Sequence, residues 1–173
     1  GARHRELLLA GLSGIVVEVG CADGRMFDRY PASVERVVAI EPDPVLRELA
    51  VAAARSAPLP VSVHDATAER IPLADGAADA VVFALVLCSV PDQAAALRES
   101  RRVLRPGGEL RFYEHVVASG GVQRPLQIAL DRSGIWPTLA SGCHMARDTP
   151  RSIADAGFTI EELASFPFPR RLG

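Results

Sequence analysis

The stretch Val16-Val17-Glu18-Val19-Gly20-Cys21-Ala22-Asp23-Gly24 is the part of the chain that most strongly indicates its fold. A short apolar run containing one acid leads into a turn with a glycine at each end, and a helical pattern follows. This order is typical of a buried strand that enters a tight loop and then a helix, so that backbone amides face whatever binds there. The glycines matter because a residue without Cβ lets the main chain bend sharply and approach a ligand closely.

The spacing of the glycines narrows the class of ligand. A dinucleotide-binding loop needs G-x-G-x-x-G, whereas Gly20 and Gly24 are four residues apart, with Ala22 between them. A nicotinamide-dependent oxidoreductase, which would share this kind of sheet, is therefore disfavoured.

Apolar runs alternate with helical patterns along most of the chain. We predict strands at 15–20, 36–40, 61–64, 78–85, 109–115 and 158–166, and helices at 5–12, 25–30, 45–56, 92–104, 124–132 and 149–156. Such alternation predicts an α/β fold, a Rossmann-like doubly wound and mainly parallel sheet, in a single domain over residues 1–173. Residues 117–147 contain no clean strand and interrupt the pattern.

Composition excludes several classes of protein. The net charge of −2 provides no basic surplus for a nucleic-acid partner. Three scattered cysteines without a C-x-x-C pair predict neither a disulfide framework nor a structural zinc site, so we expect no metal, and they fit a reducing, cytoplasmic setting. No apolar run reaches the roughly 18 residues of a membrane span. The sequence carries no signal for the oligomeric state.

Further candidate ligand groups follow the carboxyl ends of the next predicted strands, which is where open parallel sheets bind ligands. Glu41 follows the second strand, where an acid can accept hydrogen bonds from ribose hydroxyls, or can be an acid favoured by a helix N-terminus. Asp65 follows the third strand and can accept from an exocyclic amino group, or can cap a turn. Residues 84–89 follow the fourth strand with mostly apolar side chains that could pack on a cofactor.

Taken together, these motifs resemble those of class I S-adenosylmethionine-dependent methyltransferases, especially the ubiquinone and menaquinone type. The resemblance rests on E-V-G-C-A-D-G, I-E-P-D, L-V-L-C-S-V and R-R-V-L-R-P-G-G, and covers residues 14 to 115. A narrower likeness, carried by L-V-L-C-S-V, E-H-V at 114–116 and G-C-H at 142–144, is to the methyltransferase-like 7 proteins, which are alkyl thiol methyltransferases. The chain departs from the family at Ala22, where a glycine is usual, and near its end. The family's last antiparallel strand is either missing or partly supplied by residues 166–172.

The resemblance implies S-adenosylmethionine as the cofactor and assigns roles by position. The methionine part of the cofactor would contact Glu18, Gly20, Cys21, Ala22 and Gly24; the ribose and adenine would contact Glu41, Pro42, Asp65 and Ala66; and the sulfonium would lie near Leu85 and Cys88.

In-line methyl transfer can be catalysed largely by positioning and desolvation, so no strong catalytic residue is required. A base would still help, and a thiol acceptor must reach its thiolate. His115 is the best candidate base, with His144 and Glu114 after it, although His115 could also be a packed strand-end residue.

Residues 117–147 would cover the acceptor, or form only a surface excursion or a dimer contact. We therefore predict methyl transfer to a small, fairly apolar molecule such as a thiol. The alternative is a scaffold or regulatory protein that binds S-adenosylmethionine without transferring its methyl group.

Overall fold

A five-stranded parallel sheet forms the centre of the molecule. The computed structural model describes residues 2–118, 120–140 and 142–165. The strands are β1 (Gly14–Val19), β2 (Val34–Ile40), β3 (Val61–His64), β4 (Ala78–Ala84) and β5 (Leu104–Tyr113). They are arranged in the order β3-β2-β1-β4-β5, and every pairing between neighbours is parallel. The predicted α/β class with a doubly wound sheet is confirmed.

Helices connect the strands and follow the last one. The described residues form α1 (Ala2–Leu9), α2 (Pro44–Ala54), α3 (Gln93–Val103), α4 (Gln123–Arg132), α5 (Ile135–Leu139) and α6 (Thr149–Asp155). Three of them begin at an aspartate whose carboxylate accepts a backbone N–H of the first turn: Asp43 for α2, Asp92 for α3 and Asp148 for α6. An aspartate in this position satisfies an amide that otherwise has no partner inside the helix, so these starts are encoded locally.

Both faces of the sheet are buried, as expected for a parallel sheet covered by helices. On one face, Val17, Val19 and Phe83 pack with residues of α3 and α6. On the other face, Val16 and Val82 pack with residues of α1, α2 and the turn after β1. Successive residues of a strand therefore enter opposite cores, which explains why the central strands are almost continuously apolar.

The strand order also determines where a ligand can bind. The chain moves outward from β1 through β2 to β3, then crosses back so that β4 lies on the other side of β1. At such a reversal the loops after the two central strands diverge, leaving a crevice at their carboxyl ends. We use "the crevice" below for the space bounded by residues 20–24 after β1 and residues 85–88 after β4.

Four sequence predictions need correction. Residues 158–165 form no strand, because Phe158 and Ile160 pack onto the core without pairing with a neighbouring strand. Residues 166–172, which were expected to supply part of the last antiparallel strand, lie outside the described residues. The helix predicted at 25–30 is a single 3-10 turn, Phe27–Arg29. The segment 117–147 contains a second helix, α5, that was predicted as loop. Strand β5 begins at Leu104, although its regular pairing resumes only at Glu109 after an irregularity, and it ends at Tyr113, two residues before the predicted end.

The longest described helices, α2 and α3, have 11 residues each. Within the described part of the chain, no helix has the length and apolar character needed to cross a bilayer.

Candidate active site

The loop after β1 alternates between left-handed and ordinary backbone conformations. Gly20, Ala22 and Gly24 have φ angles of 68°, 51° and 78°, respectively. A Cβ added at Gly20 would lie 2.6 Å from Cγ2 of Val86, so glycine is also needed for the loop after β4 to pack this closely. The G-x-A-x-G spacing thus follows from the shape of the loop, and Ala22 occupies a conformation that costs an L-residue about 1–2 kcal/mol.

Glu41 joins the loop after β1 to the end of β2. Its carboxylate accepts the backbone N–H of Ala22 at 2.8 Å and that of Asp43 at 3.0 Å, and the residue is 6% exposed. Because each carboxylate oxygen has two lone pairs, both keep an acceptor position after these bonds are formed. The structure thus brings Glu41 beside the glycine loop, and its role toward ribose stays a prediction.

Arg47 organises the ends of β2 and β3. Its guanidinium donates to the carbonyl oxygens of Glu41 and Pro42, both at 2.9 Å, and lies 3.1 Å from the carboxylate of Asp65. The side chain of Asp65 is largely exposed, and Ala66 packs partly against the core. The predicted adenine-contacting residues are therefore held at one edge of the sheet by an arginine that sequence reasoning did not identify.

An open groove of about 500 Å³ lies between α2 and β3, where Arg47 and Asp65 are among its lining residues. None of the residues of the two crevice loops lines it. The crevice, unlike this groove, lies at the strand reversal and is bounded by the two strained loops, so it is the candidate site.

Glu114 fixes the loop after β4. Its carboxylate accepts the backbone N–H groups of Val86, Leu87 and Cys88 at 2.8, 2.9 and 3.1 Å. Burial raises the pKa of Glu114, and the three amides act in the opposite direction. This makes Glu114 a positioning residue for the loop, a role not predicted from the sequence.

Leu85 is the second non-glycine residue with a left-handed backbone among the described residues, with φ 65°. Its amide donates to the carbonyl of Tyr113 at 2.7 Å, so the turn is held where β4 and β5 end. Ala22 and Leu85 thus place backbone strain on the two loops that bound the crevice, and strain of this kind concentrates at functional sites.

The two candidate bases have different surroundings. His115 Nδ1 lies 3.6 Å from the Sγ of Cys143, and partial burial lowers the pKa of His115, so its imidazole is neutral near pH 7 and able to accept a proton. His144 Nδ1 instead lies 3.2 Å from Asp131 Oδ2, and its backbone amide donates to the carbonyl of Cys88 at 2.7 Å. His115 therefore remains the better candidate base.

Cys88, His115 and Cys143 lie together, although they are far apart in the sequence. Their ligating atoms are all within 4.8 Å of one another. Burial raises the pKa of the Cys88 thiol, and the Glu114 carboxylate adds to this effect. Sequence reasoning missed Cys143, because a cysteine isolated in sequence carries no signal of its partners.

Two buried residues below the glycine loop were also assigned to the cofactor. Glu18 is 2% exposed and accepts a hydrogen bond from the Tyr30 hydroxyl at 2.8 Å. Burial raises the pKa of Glu18 to about 8. The Cys21 side chain is buried in the core, and burial also raises the pKa of its thiol, so Cys21 would contact a ligand through its backbone.

Comparison with known proteins identifies the family. The family model described as a methyltransferase domain matches residues 17–112, which is more than half of the chain. The chain is 37% identical to human thiol S-methyltransferase TMT1A, over 97% of this chain and 72% of the relative. The chain belongs to the methyltransferase-domain family.

A further relative and one solved structure are also similar to the chain. The chain is 38% identical to the ubiquinone/menaquinone biosynthesis C-methyltransferase UbiE of Caulobacter vibrioides, over 60% of this chain and 38% of that protein. The fold is similar to a crystal structure from Bacillus halodurans C-125, named as a candidate methyltransferase, with a TM-score of 0.77 and 19% identity, over 94% of this chain and 71% of that one. That likeness shows the fold alone.

As a member of the methyltransferase-domain family, the chain is an S-adenosylmethionine-dependent methyltransferase. The predicted family resemblance, enzyme class and cofactor are confirmed. The residues present fit that cofactor, because the Glu41 carboxylate beside the glycine loop keeps acceptor positions suited to ribose hydroxyls.

Proposed function

We propose that this methyltransferase acts on the sulfur of a small, fairly apolar thiol, and that its active site is the crevice between the loops after β1 and β4. The proposal rests on the side chains that lie beside the loop after β4, at one side of the crevice. There a neutral imidazole, His115, lies next to the buried thiols of Cys88 and Cys143, and Glu114 holds the loop that carries Cys88. The name of the human relative, a thiol S-methyltransferase, supports the same acceptor class.

The residues proposed to hold S-adenosylmethionine come from four strand ends. They are Glu18 near the end of β1, Gly20, Cys21, Ala22 and Gly24 after β1, Glu41 and Pro42 after β2, Asp65 and Ala66 after β3, and Leu85 and Cys88 after β4. When bound, the cofactor supplies an electrophilic methyl group on a sulfonium. Glu41 is proposed to accept hydrogen bonds from the ribose through the acceptor positions that its amide contacts leave open.

The protein's own contribution is positioning and removal of a proton. His115 is proposed to take the proton from the acceptor thiol, since its imidazole is neutral near pH 7 and the thiolate is the nucleophilic form. Glu114 acts through the loop after β4, because its carboxylate holds three consecutive amides of that loop. His144 is proposed to position the same loop through its bond to the Cys88 carbonyl.

Residues 117–147 are proposed to cover the acceptor as part of the single domain. The two ends of this segment meet, since the amide of Val117 donates to the carbonyl of Arg147 at 3.2 Å, and Arg147 donates to the carbonyl of Leu87 at 2.6 Å. The segment is therefore anchored to the loop after β4. Its α4 and α5 carry apolar side chains, including Trp136, that suit an apolar acceptor.

We expect a small molecule as the acceptor and no nucleic acid, because the net charge is −2. The cytoplasmic location stays a prediction from the cysteine pattern.

The acceptor class is tested with a panel of molecules that share one alkyl chain and differ in the nucleophile: a thiol, an alcohol, an amine and a phenol. Each is incubated with the enzyme and S-adenosylmethionine, and methylated products are detected by mass spectrometry. We expect the thioether from the thiol, with the other acceptors at background. Methylation of the alcohol, phenol or amine in preference to the thiol would refute the thiol assignment. Cofactor binding without turnover of any acceptor would favour a scaffold.

A further inference from the structure

Three side chains that can ligate a metal converge beside the crevice from separate segments. Cys88 lies in the loop after β4, His115 follows β5, and Cys143 follows α5. Their ligating atoms all lie within 4.8 Å of one another, with Cys143 Sγ to His115 Nδ1 at 3.6 Å. Cys88 and Cys143 are buried and His115 is half-buried. We call these residues the Cys-His-Cys cluster.

One separation in the cluster matches that between ligands of a tetrahedral zinc ion, and the others are no longer than 4.8 Å. Bonds of about 2.3 Å to sulfur and about 2.0 Å to nitrogen place neighbouring ligand atoms roughly 3.5 to 3.8 Å apart. The 3.6 Å between Cys143 Sγ and His115 Nδ1 lies in that interval. No two ligand atoms of the cluster are more than 4.8 Å apart, so small rotations of the side chains would bring all three into the interval.

Neighbouring residues hold the backbone that carries the cluster. Glu114, next to His115, binds the amide of Cys88, and the amide of His144, next to Cys143, donates to the Cys88 carbonyl. Each of the other two ligand-bearing segments is therefore tied to the segment that carries Cys88. Metal sites depend on supporting contacts that fix the position of the ligands.

We propose that the Cys-His-Cys cluster binds a divalent ion of the zinc class through three protein ligands. We further propose that the fourth position accepts the sulfur of the acceptor thiol, which rests on the proposed function. When the ion binds, each cysteine forms a metal–sulfur bond, breaks its S–H bond and releases the proton to solvent. The resulting two thiolates and an imidazole are a donor set that selects zinc over magnesium or calcium. Among the described residues, no fourth histidine, cysteine or acid joins the group, so the set leaves one position open, as in catalytic zinc sites.

The open position would activate a thiol directly. When a thiol binds, an electron pair of its sulfur forms a bond with the metal. The S–H bond then breaks, and the proton is released to water or buffer rather than to His115. A thiol coordinated to zinc is deprotonated near neutral pH. In the metal-bound form His115 is a ligand and the metal lowers the pKa of the bound thiol. The base role proposed above for His115 then applies to the metal-free protein only, while the thiol acceptor stays the same.

The position of the cluster connects it with the site already described. Cys88 lies two residues beyond Val86, whose side chain packs against Gly20 of the glycine loop. Because β1, β4 and β5 are neighbours, the glycine loop and the cluster share one edge of the sheet. A thiol bound at the cluster would therefore lie at the same edge as the cofactor loop.

The test uses cobalt as a spectroscopic substitute for zinc, in the full chain kept reduced and without S-adenosylmethionine. Metal-free protein is titrated with Co²⁺, and absorption is recorded in the thiolate charge-transfer and visible regions. We expect saturation at one ion per chain with tetrahedral thiolate-cobalt spectra, and a further spectral change when a short alkyl thiol is added. Zinc should displace the cobalt and abolish the spectrum.

Variants identify the ligands. Cys143→Ser, Cys88→Ser and His115→Ala should each weaken cobalt binding by at least about 100-fold, since loss of a supporting contact alone costs about 10–100-fold. His64→Ala, which removes an imidazole outside the cluster and outside the proposed cofactor site, should bind cobalt as the wild type does. Circular dichroism checks the fold of each variant. If Cys88→Ser does not fold, the wild-type protein is treated with a thiol-alkylating reagent with and without zinc. Zinc should then protect Cys88 and Cys143 from alkylation.

Several results would overturn the metal site: no thiolate-cobalt band in the reduced protein, unchanged binding in Cys143→Ser, or equal loss in His64→Ala. The metal site would also be overturned if Cys88 and Cys143 formed a disulfide that persists in reductant and prevents cobalt binding. These failures are distinguishable from failure of the proposed function, which is read from the acceptor panel. Cobalt spectra that form but do not respond to any thiol would overturn the fourth-position assignment alone.

Discussion

Glu18 provides a quantitative test of how the buried layer under the glycine loop is built. The residue is 2% exposed, and burial raises its pKa from 4.5 to about 8. Between these two values the folded protein keeps a proton that the unfolded chain has lost, so the free energy of unfolding falls as the pH rises. The slope is about 1.4 kcal/mol per pH unit, and the whole interval costs roughly 3 to 5 kcal/mol, with no further loss above pH 8.

Glu18→Gln should remove this pH dependence, because glutamine cannot ionise yet keeps a carbonyl oxygen for the Tyr30 hydroxyl. We expect the variant to match the wild type within about 1 kcal/mol near pH 5 and to exceed it by roughly 2 to 4 kcal/mol near pH 8. Urea unfolding followed by circular dichroism at several pH values measures the difference.

Tyr30→Phe is the matched variant, since it removes the donor that lowers the pKa of Glu18. We expect it to lose about 1 kcal/mol near pH 5 and more near pH 8. The reasoning is refuted if wild type and Glu18→Gln show parallel pH profiles, or if the glutamine variant is the less stable protein near pH 8.

Three further substitutions test the loops around the crevice by urea unfolding. Glu114→Ala leaves three loop amides without their acceptor and should lower the free energy of unfolding by about 2–4 kcal/mol, with partial recovery in Glu114→Gln. A decrease below about 0.5 kcal/mol would contradict the positioning role of Glu114. Ala22→Gly relieves a left-handed conformation and should be neutral to about 1 kcal/mol stabilising, so a clear destabilisation would count against strain there. Gly20→Ala adds a Cβ 2.6 Å from Val86 at φ 68° and should lose about 2–4 kcal/mol, whereas wild-type stability would show that the loops do not pack as described.

Local signals were enough to predict most of the fold. Strand β3 was predicted with its observed bounds, 61–64, because valines alternate with polar residues between a proline and an aspartate, which is typical of a short strand. Helices α2, α3 and α6 were predicted within one or two residues of their observed ends, since each begins at an aspartate cap. Strand predictions failed where tertiary contacts decide, as at 158–165, whose apolar residues pack on the core without a pairing partner.

The site was only partly predictable for a related reason. The glycine loop and Glu41 are encoded by residue type and position next to a strand, so sequence reasoning could single them out. Arg47, Glu114 and Cys143 act through partners far away in the chain: Arg47 contacts Asp65, and Glu114 contacts the loop 26 to 28 residues before it. Spacing in one sequence does not reveal such contacts, because they depend on which strands become neighbours.

The affinity of S-adenosylmethionine, measured by titration calorimetry for Glu41→Ala and Glu35→Ala, tests the location of the active site most directly. Glu35 is an exposed acid at the opposite end of β2 from Glu41, and its replacement should leave affinity unchanged. Losing the charged hydrogen bonds of Glu41 should weaken binding about 10–100-fold, provided that the variant remains folded. Wild-type affinity in folded Glu41→Ala would contradict the proposal that the strand ends around Glu41 and the glycine loop hold the cofactor.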